Sequence, residues 1–178
     1  MSLLIRDATA ADIPAITVLY ADEVRERVAT YEYDAPDEKE MDRRMRDIQA
    51  AGYPYLVAEF DGTFAGYAYA SSYRGRIGYR WTVEDTVYLR PEFQGRGIGK
   101  ALLAKLIDLC EAKGFRQMVA VIGEPGNGAS VALHERLGFR TVGIFQGLGR
   151  KHGRWLDTVQ MQRPLGSGDR DAPVGEDR

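Results

Sequence analysis

The chain has one cysteine, Cys110, and two histidines, His134 and His152, in 178 residues. A single cysteine excludes an internal disulfide, and so few nitrogen and sulfur ligands argue against a structural zinc site. No apolar run approaches the roughly 20 residues needed to cross a bilayer. The N-terminus, MSLLIRDATAAD, lacks the apolar core of a secretion signal. Base is not in excess either: 24 Lys and Arg stand against 26 Asp and Glu, a formal net charge of −2. That balance opposes a dedicated nucleic-acid binder, which needs a basic surface. No internal repeat is visible. The apolar share of 44% is enough for an ordinary core, so the expectation is a soluble, cytoplasmic protein of one domain.

Periodicity divides the chain into elements. Ser2–Arg6 reads as a strand, and Thr9 with Asp12 forms a capping box ahead of Ile13, Ile16, Leu19 and Val24 at helical spacing. A second helical pattern runs from about Pro36, with Met41, Met45 and Ile48 on one face, until Gly52 and Pro54 stop it. Tyr55–Phe60 and Thr63–Ala70 read as strands joined by an Asp61-Gly62 hairpin turn. Thr82–Leu89 is a strand ended by Arg90-Pro91. Ile98–Lys113 is a helix with Ile98, Leu102, Leu106 and Cys110 in one row and Gly114 as its cap. A strand at Gln117–Ile122, a helix at Asn127–Leu137 and strands at Thr141–Phe145 and Leu156–Met161 complete the order βααβββαβαββ. That order predicts a mixed α/β, or α+β, domain over residues 1–165. The remaining stretch, 166–178, holds four acids and two arginines and little to bury, and is expected to be disordered.

The stretch Gln94-Gly95-Arg96-Gly97-Ile98-Gly99-Lys100 lies between a strand and an amphipathic helix. Glycines there allow close backbone approach, and the unpaired amides of a first helical turn favour a pyrophosphate. A Walker loop is ruled out, because Gln94 and Ala101 stand where Gly and Ser or Thr are required. The dinucleotide fingerprint fails as well, with Lys100 or Leu102 at its third glycine.

The spacing that fits, Q-x-x-G-x-G, resembles the acyl-CoA loop of the GNAT superfamily of N-acetyltransferases. NGASVALHERLGF at 127–139 resembles that superfamily's later helix. YRWTVEDTVYL, FRQMVAVIG, LHERLGF and GRWLDTVQMQRPL are together similar to the phosphinothricin and methionine sulfoximine N-acetyltransferase family, over about residues 3–165. The resemblance implies a GNAT fold with a mostly antiparallel twisted sheet flanked by helices, and a homodimer. It also implies acetyl-CoA as co-substrate and no metal. The substrate class would be a small amine: the α-amino group of an amino acid or of a toxic glutamate analogue.

Such a reaction has three tasks: deprotonate an ammonium, stabilise an oxyanion and let a thiolate leave. Alternation in Thr82–Leu89 places Glu84 and Asp85 on opposite faces without saying which is inside. The family motif puts a catalytic glutamate at Glu84. His134 stands where many GNAT enzymes carry a tyrosine acid; its ordinary pKa near 6.5 suits either an acid or a base, so the choice of base between Glu84 and His134 stays open. Cys110 lies in a core row, which disfavours an acetyl-cysteine route.

For the cofactor, the resemblance assigns the backbone of Val87, Tyr88 and Leu89 to the pantetheine arm. Gly95, Arg96, Gly97, Ile98, Gly99 and Lys100 would take the pyrophosphate, and Asn127 would bind near the thioester. For the substrate it points to Arg74, Gly75 and Arg76, with Arg80, Tyr31, Glu84, Asp85 and Thr86. Arginine suits bidentate capture of a carboxylate or phosphinate. His152 sits in a basic loop, 149–154, read as solvated or as pocket rim. Two other readings compete: an acetyltransferase of another amine, such as a polyamine or protein N-terminus, and a non-catalytic acyl-CoA sensor.

Overall fold

A computed structural model describes residues 2–123 and 128–176. Among these described residues seven strands form one sheet in the order β1-β2-β3-β4-β5-β7-β6. They are β1 (Leu3–Asp7), β2 (Tyr55–Phe60), β3 (Thr63–Ser72), β4 (Thr82–Leu89), β5 (Gln117–Gly123), β6 (Arg140–Lys151) and β7 (Arg154–Pro164). All neighbouring pairs run antiparallel except β4 and β5. Among the described residues four α-helices accompany them: α1 (Ile13–Glu26), α2 (Glu38–Ala50), α3 (Ile98–Ala112) and α4 (Gly128–Glu135). The mixed α/β architecture expected from the order of elements is the one observed.

The sheet carries a core on each face. On one side Ile98, Leu102, Leu106 and Cys110 of α3, all at most 1% exposed, pack on Ala68, Ala70, Val83 and Met118. On the other, Ile16 and Val24 of α1 and Met41 and Met45 of α2 cover Tyr55, Val57 and Tyr67. Between Ala10 and Asp12 a single 3-10 turn precedes α1. There the Thr9 amide donates to Asp12 Oδ2 at 2.8 Å, and Arg6 clasps the same carboxylate. The Asp61-Gly62 turn has positive φ at both residues, +48° and +76°, the two-residue geometry that matches strand twist.

Two boundaries differ from expectation. The last strands are roughly twice as long as their apolar cores suggest, and the supposed basic loop at 149–154 is mostly ladder closed by a tight turn. Register shifts between Thr141 and Gly143 and between Phe145 and Gly149 break the alternation that sequence reading depends on. The segment after residue 165, expected to be disordered, is held where it leaves the fully buried Leu165: Arg116 Nε donates to the Gly168 carbonyl at 2.7 Å. Arg116 also pairs with Asp171. A partly exposed guanidinium with carbonyl partners is what the low apolar content of that segment conceals.

Candidate active site

Strands β4 and β5 pair only from Thr82 to Glu84 against Gln117 to Val119. Beyond that point β4 continues on β3 alone and β5 on β7 alone. The sheet therefore opens into a cleft of about 270 Å³, lined by both strands and by residues of α4 and of the segment after α1. Among the described residues the β5-facing backbone groups of Asp85 to Leu89 have no strand partner there. An extended ligand can occupy that edge as an added strand does.

The two acidic residues of β4 face different sides of this cleft. Glu84 pairs across β3 with Ser71, on the face shared by Tyr69 and Tyr88 and covered by α1 and α2. Burial, and then the charge of Asp85, push the Glu84 carboxyl above its ordinary value. Asp85 is 8% exposed and points to the α4 face, where its Oδ2 lies 2.9 Å from Nε2 of His134. Its Oδ1 is buried with no hydrogen-bond partner among the described residues. His134, 4% exposed, closes its other side on the Ser130 carbonyl, 2.7 Å from Nδ1. A carbonyl only accepts, so Nδ1 carries a hydrogen, and the remaining proton belongs to the Nε2–Oδ2 pair. Burial opposes charge on the ring, but Asp85 and the Ser130 carbonyl together outweigh it and raise the imidazole pKa.

Glu84, Asp85, Thr86, Tyr31 and His134 thus meet at one cleft, as do Val87 and Tyr88. Tyr31 donates to, or accepts from, Thr158 at 2.8 Å. The Tyr88 ring is core as well, edge-on to Tyr20, so that residue offers its backbone to a ligand. Leu89 packs its side chain against Gly99. Thr158, Tyr20 and Tyr69 also line the cleft; lone hydroxyls scattered through the sequence gave no signal for them.

The glycine loop has the geometry of an anion cradle. Gly95 and Gly97 adopt φ of +72° and +79°, and Gly97 caps α3. The first helical bond runs from Ala101 N to the Gly97 carbonyl, which leaves the amides of Ile98, Gly99 and Lys100 pointing outward. Nothing lies within 4 Å of the place a Cβ would take at Gly95 or Gly97. Ile98 contributes only its amide, since its side chain is core. Arg96 and Lys100 are exposed, the former over the rings of Phe60 and Phe93.

The arginine loop does not line this cleft: Arg74, Gly75, Arg76 and Arg80 are absent from its wall. The β3–β4 connection leaves the end of the sheet, and its guanidiniums stack on nearby rings, Arg74 on Tyr73 and Arg80 at 3.7 Å over Trp81. His152 of the basic loop is exposed, as expected, while Lys151 beside it is 2% exposed. Asn127 lies outside the described residues. Cys110 is buried, and burial followed by the charge of Asp85 pushes its thiol up to about 12, so no thiolate nucleophile is present at neutral pH. Among the described residues no group of three His, Cys, Asp or Glu could hold a metal ion. No described helix is long and apolar enough to cross a membrane.

Comparison with known proteins places this geometry. Residues 16–139 match the Acetyltransferase (GNAT) family. The chain is 49% identical over 162 residues to a phosphinothricin N-acetyltransferase of Alcaligenes faecalis, covering 91% of this chain and 82% of that protein. It is 41% identical over 164 residues to the L-amino acid N-acyltransferase MnaT of Escherichia coli, covering 90% and 93%. A solved phosphinothricin acetyltransferase of Sinorhizobium meliloti in complex with AcCoA superposes with a TM-score of 0.95 at 51% identity, covering 99% and 95%. A sheet split at β4 and β5, a glycine loop capping α3 and these matches together assign the chain to the GNAT family of acetyltransferases.

Proposed function

We propose that the chain transfers an acetyl group from acetyl-CoA to the α-amino group of an amino acid by direct attack in a ternary complex. The substrates would be of the phosphinothricin, methionine sulfoximine and methionine sulfone type. The observation that carries this is the placement of two proton-handling groups on opposite sides of one cleft, Glu84 towards α1 and α2 and the Asp85–His134 pair towards α4. The names of the relatives support the substrate class.

Acetyl-CoA supplies the acetyl group as an activated thioester. The outward amides of Ile98, Gly99 and Lys100, with Gly95, Arg96 and Gly97, receive the pyrophosphate, and the open edge at Val87, Tyr88 and Leu89 holds the arm. Asn127 is assigned to the same arm. Glu84 accepts the proton of the substrate ammonium at a carboxylate that burial has made more basic. His134, whose pKa is raised beside Asp85, is the candidate store of the proton that the departing thiolate needs. Tyr31 and Thr86 shape the substrate wall. Arg74, Arg76 and Arg80, with Gly75 in the same turn, lend the loop a positive field for an anionic amino acid.

CoA release, read with a thiol reagent, tests the proposal against phosphinothricin, methionine sulfoximine, methionine sulfone, the standard amino acids and spermidine. Turnover on the first three is expected. Preference for spermidine would transfer the reading to polyamines. Binding of acetyl-CoA without turnover on any amine would make the domain a sensor.

A cytoplasmic homodimer belongs to the same proposal. Edge strand β6 and its neighbour expose Val142, Ile144, Phe145, Leu148 and Trp155, each more than half accessible. An uncovered apolar edge invites association, and a second copy of this face is self-complementary by symmetry. Sedimentation at micromolar concentration should give twice the 19.9 kDa chain mass, and Phe145→Glu should return it to one; a monomeric wild type would end the idea.

A further inference from the structure

Lys151 occupies the tip of the β6–β7 hairpin, a place where side chains ordinarily reach water, yet it is 2% exposed. The turn residues His152 and Gly153 have φ of +49° and +74°, both positive as a two-residue hairpin requires. This conformation aims the lysine back into the protein. Its Nζ donates to the Thr30 carbonyl at 2.8 Å and faces the Glu23 carbonyl at 3.5 Å. Glu23 belongs to the last turn of α1, whose cap, Arg27, is extended at φ −130° rather than left-handed. The negative end of that helix attracts a cation, and the hairpin supplies one, from more than a hundred residues away in sequence, to a Glu23 carbonyl that already accepts from the Arg27 amide. His152 adds a ring nitrogen 3.4 Å from the Arg27 carbonyl.

The lacing continues along the segment that follows α1. Tyr33 donates its hydroxyl to the Arg150 carbonyl at 2.6 Å. The Tyr31 hydroxyl meets Thr158 of β7, and its ring lies flat on Gly149 of β6. A Cβ at Gly149 would come within 2.5 to 2.8 Å of that ring. The segment is also pressed on β5, because a Cβ at Gly123 would approach the Val28 carbonyl to 2.4 Å. Ala29, Thr30 and Tyr31 of this segment line the cleft. Without the lysine, the Thr30 carbonyl and the end of α1 lose their shared donor, and the wall they build loses its fixed height above β7.

We infer that Lys151 is a positioning residue for substrate recognition: from the hairpin tip it ties the end of α1 and the Thr30 carbonyl together, and so sets Tyr31 against the cleft. The kinetic part of this inference rests on the proposed amino-acid acetylation; the structural part does not. The acetyl-CoA cradle at Gly95–Lys100 belongs to a different part of the chain, so the effect should be selective for the amine.

The experiment compares Lys151→Met, Lys151→Arg, Gly149→Ala and Tyr31→Ala, with the Lys151→Met/Tyr31→Ala double variant. Hydrogen exchange needs no substrate, and Lys151→Met should speed amide exchange across residues 28–33 by roughly tenfold, while α3 stays protected. In turnover assays it should raise KM for the amino-acid substrate by about tenfold and leave kcat and the KM for acetyl-CoA within about twofold. Lys151→Arg keeps a cation and should recover part of that loss. Gly149→Ala moves the Tyr31 ring without touching Lys151, and should produce the same KM change. In the Tyr31→Ala background Lys151→Met should add nothing further, because both act through one side chain. Multiplying effects in the double variant, or a rise in both KM values together, would overturn the assignment. If Lys151→Met does not fold, Lys151→Arg decides it: an amine KM equal to wild type despite faster exchange at 28–33 defeats the role. Wild-type enzyme that acetylates no amine would defeat the proposed activity instead, and the exchange measurement would still read the tether; unchanged exchange would defeat the tether itself.

Discussion

Glu84→Gln is expected to lower kcat by roughly 10²- to 10³-fold while leaving the KM for acetyl-CoA nearly unchanged, the loss typical of removing a general base. The amide keeps the shape and hydrogen-bonding capacity of the side chain but cannot accept a proton from an ammonium. An ordinary surface glutamate would be a weak base for this purpose. Glu84 is half-buried, and the charge of Asp85 one residue away adds to the effect of burial, so its carboxyl titrates above the usual value near 4.5. The ionised form is the active one. The rate should therefore rise with pH through that raised value, and the acid limb of the kcat profile should sit higher than an exposed carboxylate would put it. In Glu84→Gln this limb should vanish along with most of the rate. A variant that retains near-normal kcat, or whose acid limb does not change, would take Glu84 out of the proton path.

How far these features could be read in the sequence depends on how local their causes are. The row Ile98, Leu102, Leu106, Cys110 is buried as its spacing predicts, because one helix facing one sheet needs nothing beyond period 3.6. The Asp61-Gly62 turn and the strands on either side are equally local, as is the glycine loop. Strands β6 and β7 were less legible. The glycines of β6 and the register shifts between the two erase the two-residue period, although the long antiparallel ladder exists. Alternation along β4 placed Glu84 and Asp85 on opposite faces; it could not say that α4, 49 positions later, brings His134 onto Asp85. Lys151 misleads for the same reason. In a run of basic residues it looks solvated, and only the return of the hairpin onto α1 explains its burial. The arginines of the 74–80 loop carry a charge pattern apt for an anionic substrate, but which way they turn was not legible: the Arg74 and Arg80 guanidiniums rest on aromatic neighbours.

Asp85→Asn should separate the two roles that His134 could fill. In the wild type Nδ1 is committed to the Ser130 carbonyl and Nε2 faces a carboxylate, so an imidazolium satisfies both contacts as a donor. With Asn the amide nitrogen can donate to Nε2 instead, and the ring settles as a neutral species with no uncompensated charge. If His134 is the acid, kcat should fall by roughly 10- to 100-fold and the alkaline limb of its profile should move to lower pH or disappear. If the ring were the base, the neutral form would be the working one, and the same substitution would preserve or raise the rate. Stability supplies an independent reading. The folded-state pKa of His134 is raised, so the stabilisation from the charged pair is complete below the unfolded value near 6.5 and is lost as pH climbs through the folded value. The gap in Tm between wild type and Asp85→Asn should accordingly be widest in mildly acidic buffer and close as the pH rises. Asp85→Leu removes the partner without a substitute and should cost about 3–5 kcal/mol in that acidic range, the usual penalty for stranding one member of a buried pair. At about 2–4 °C per kcal/mol for a chain of this size, that is a loss on the order of 10 °C. A Tm gap independent of pH would mean that the wild-type ring is neutral, and the proton for the departing thiolate would then have to come from another group in the cleft.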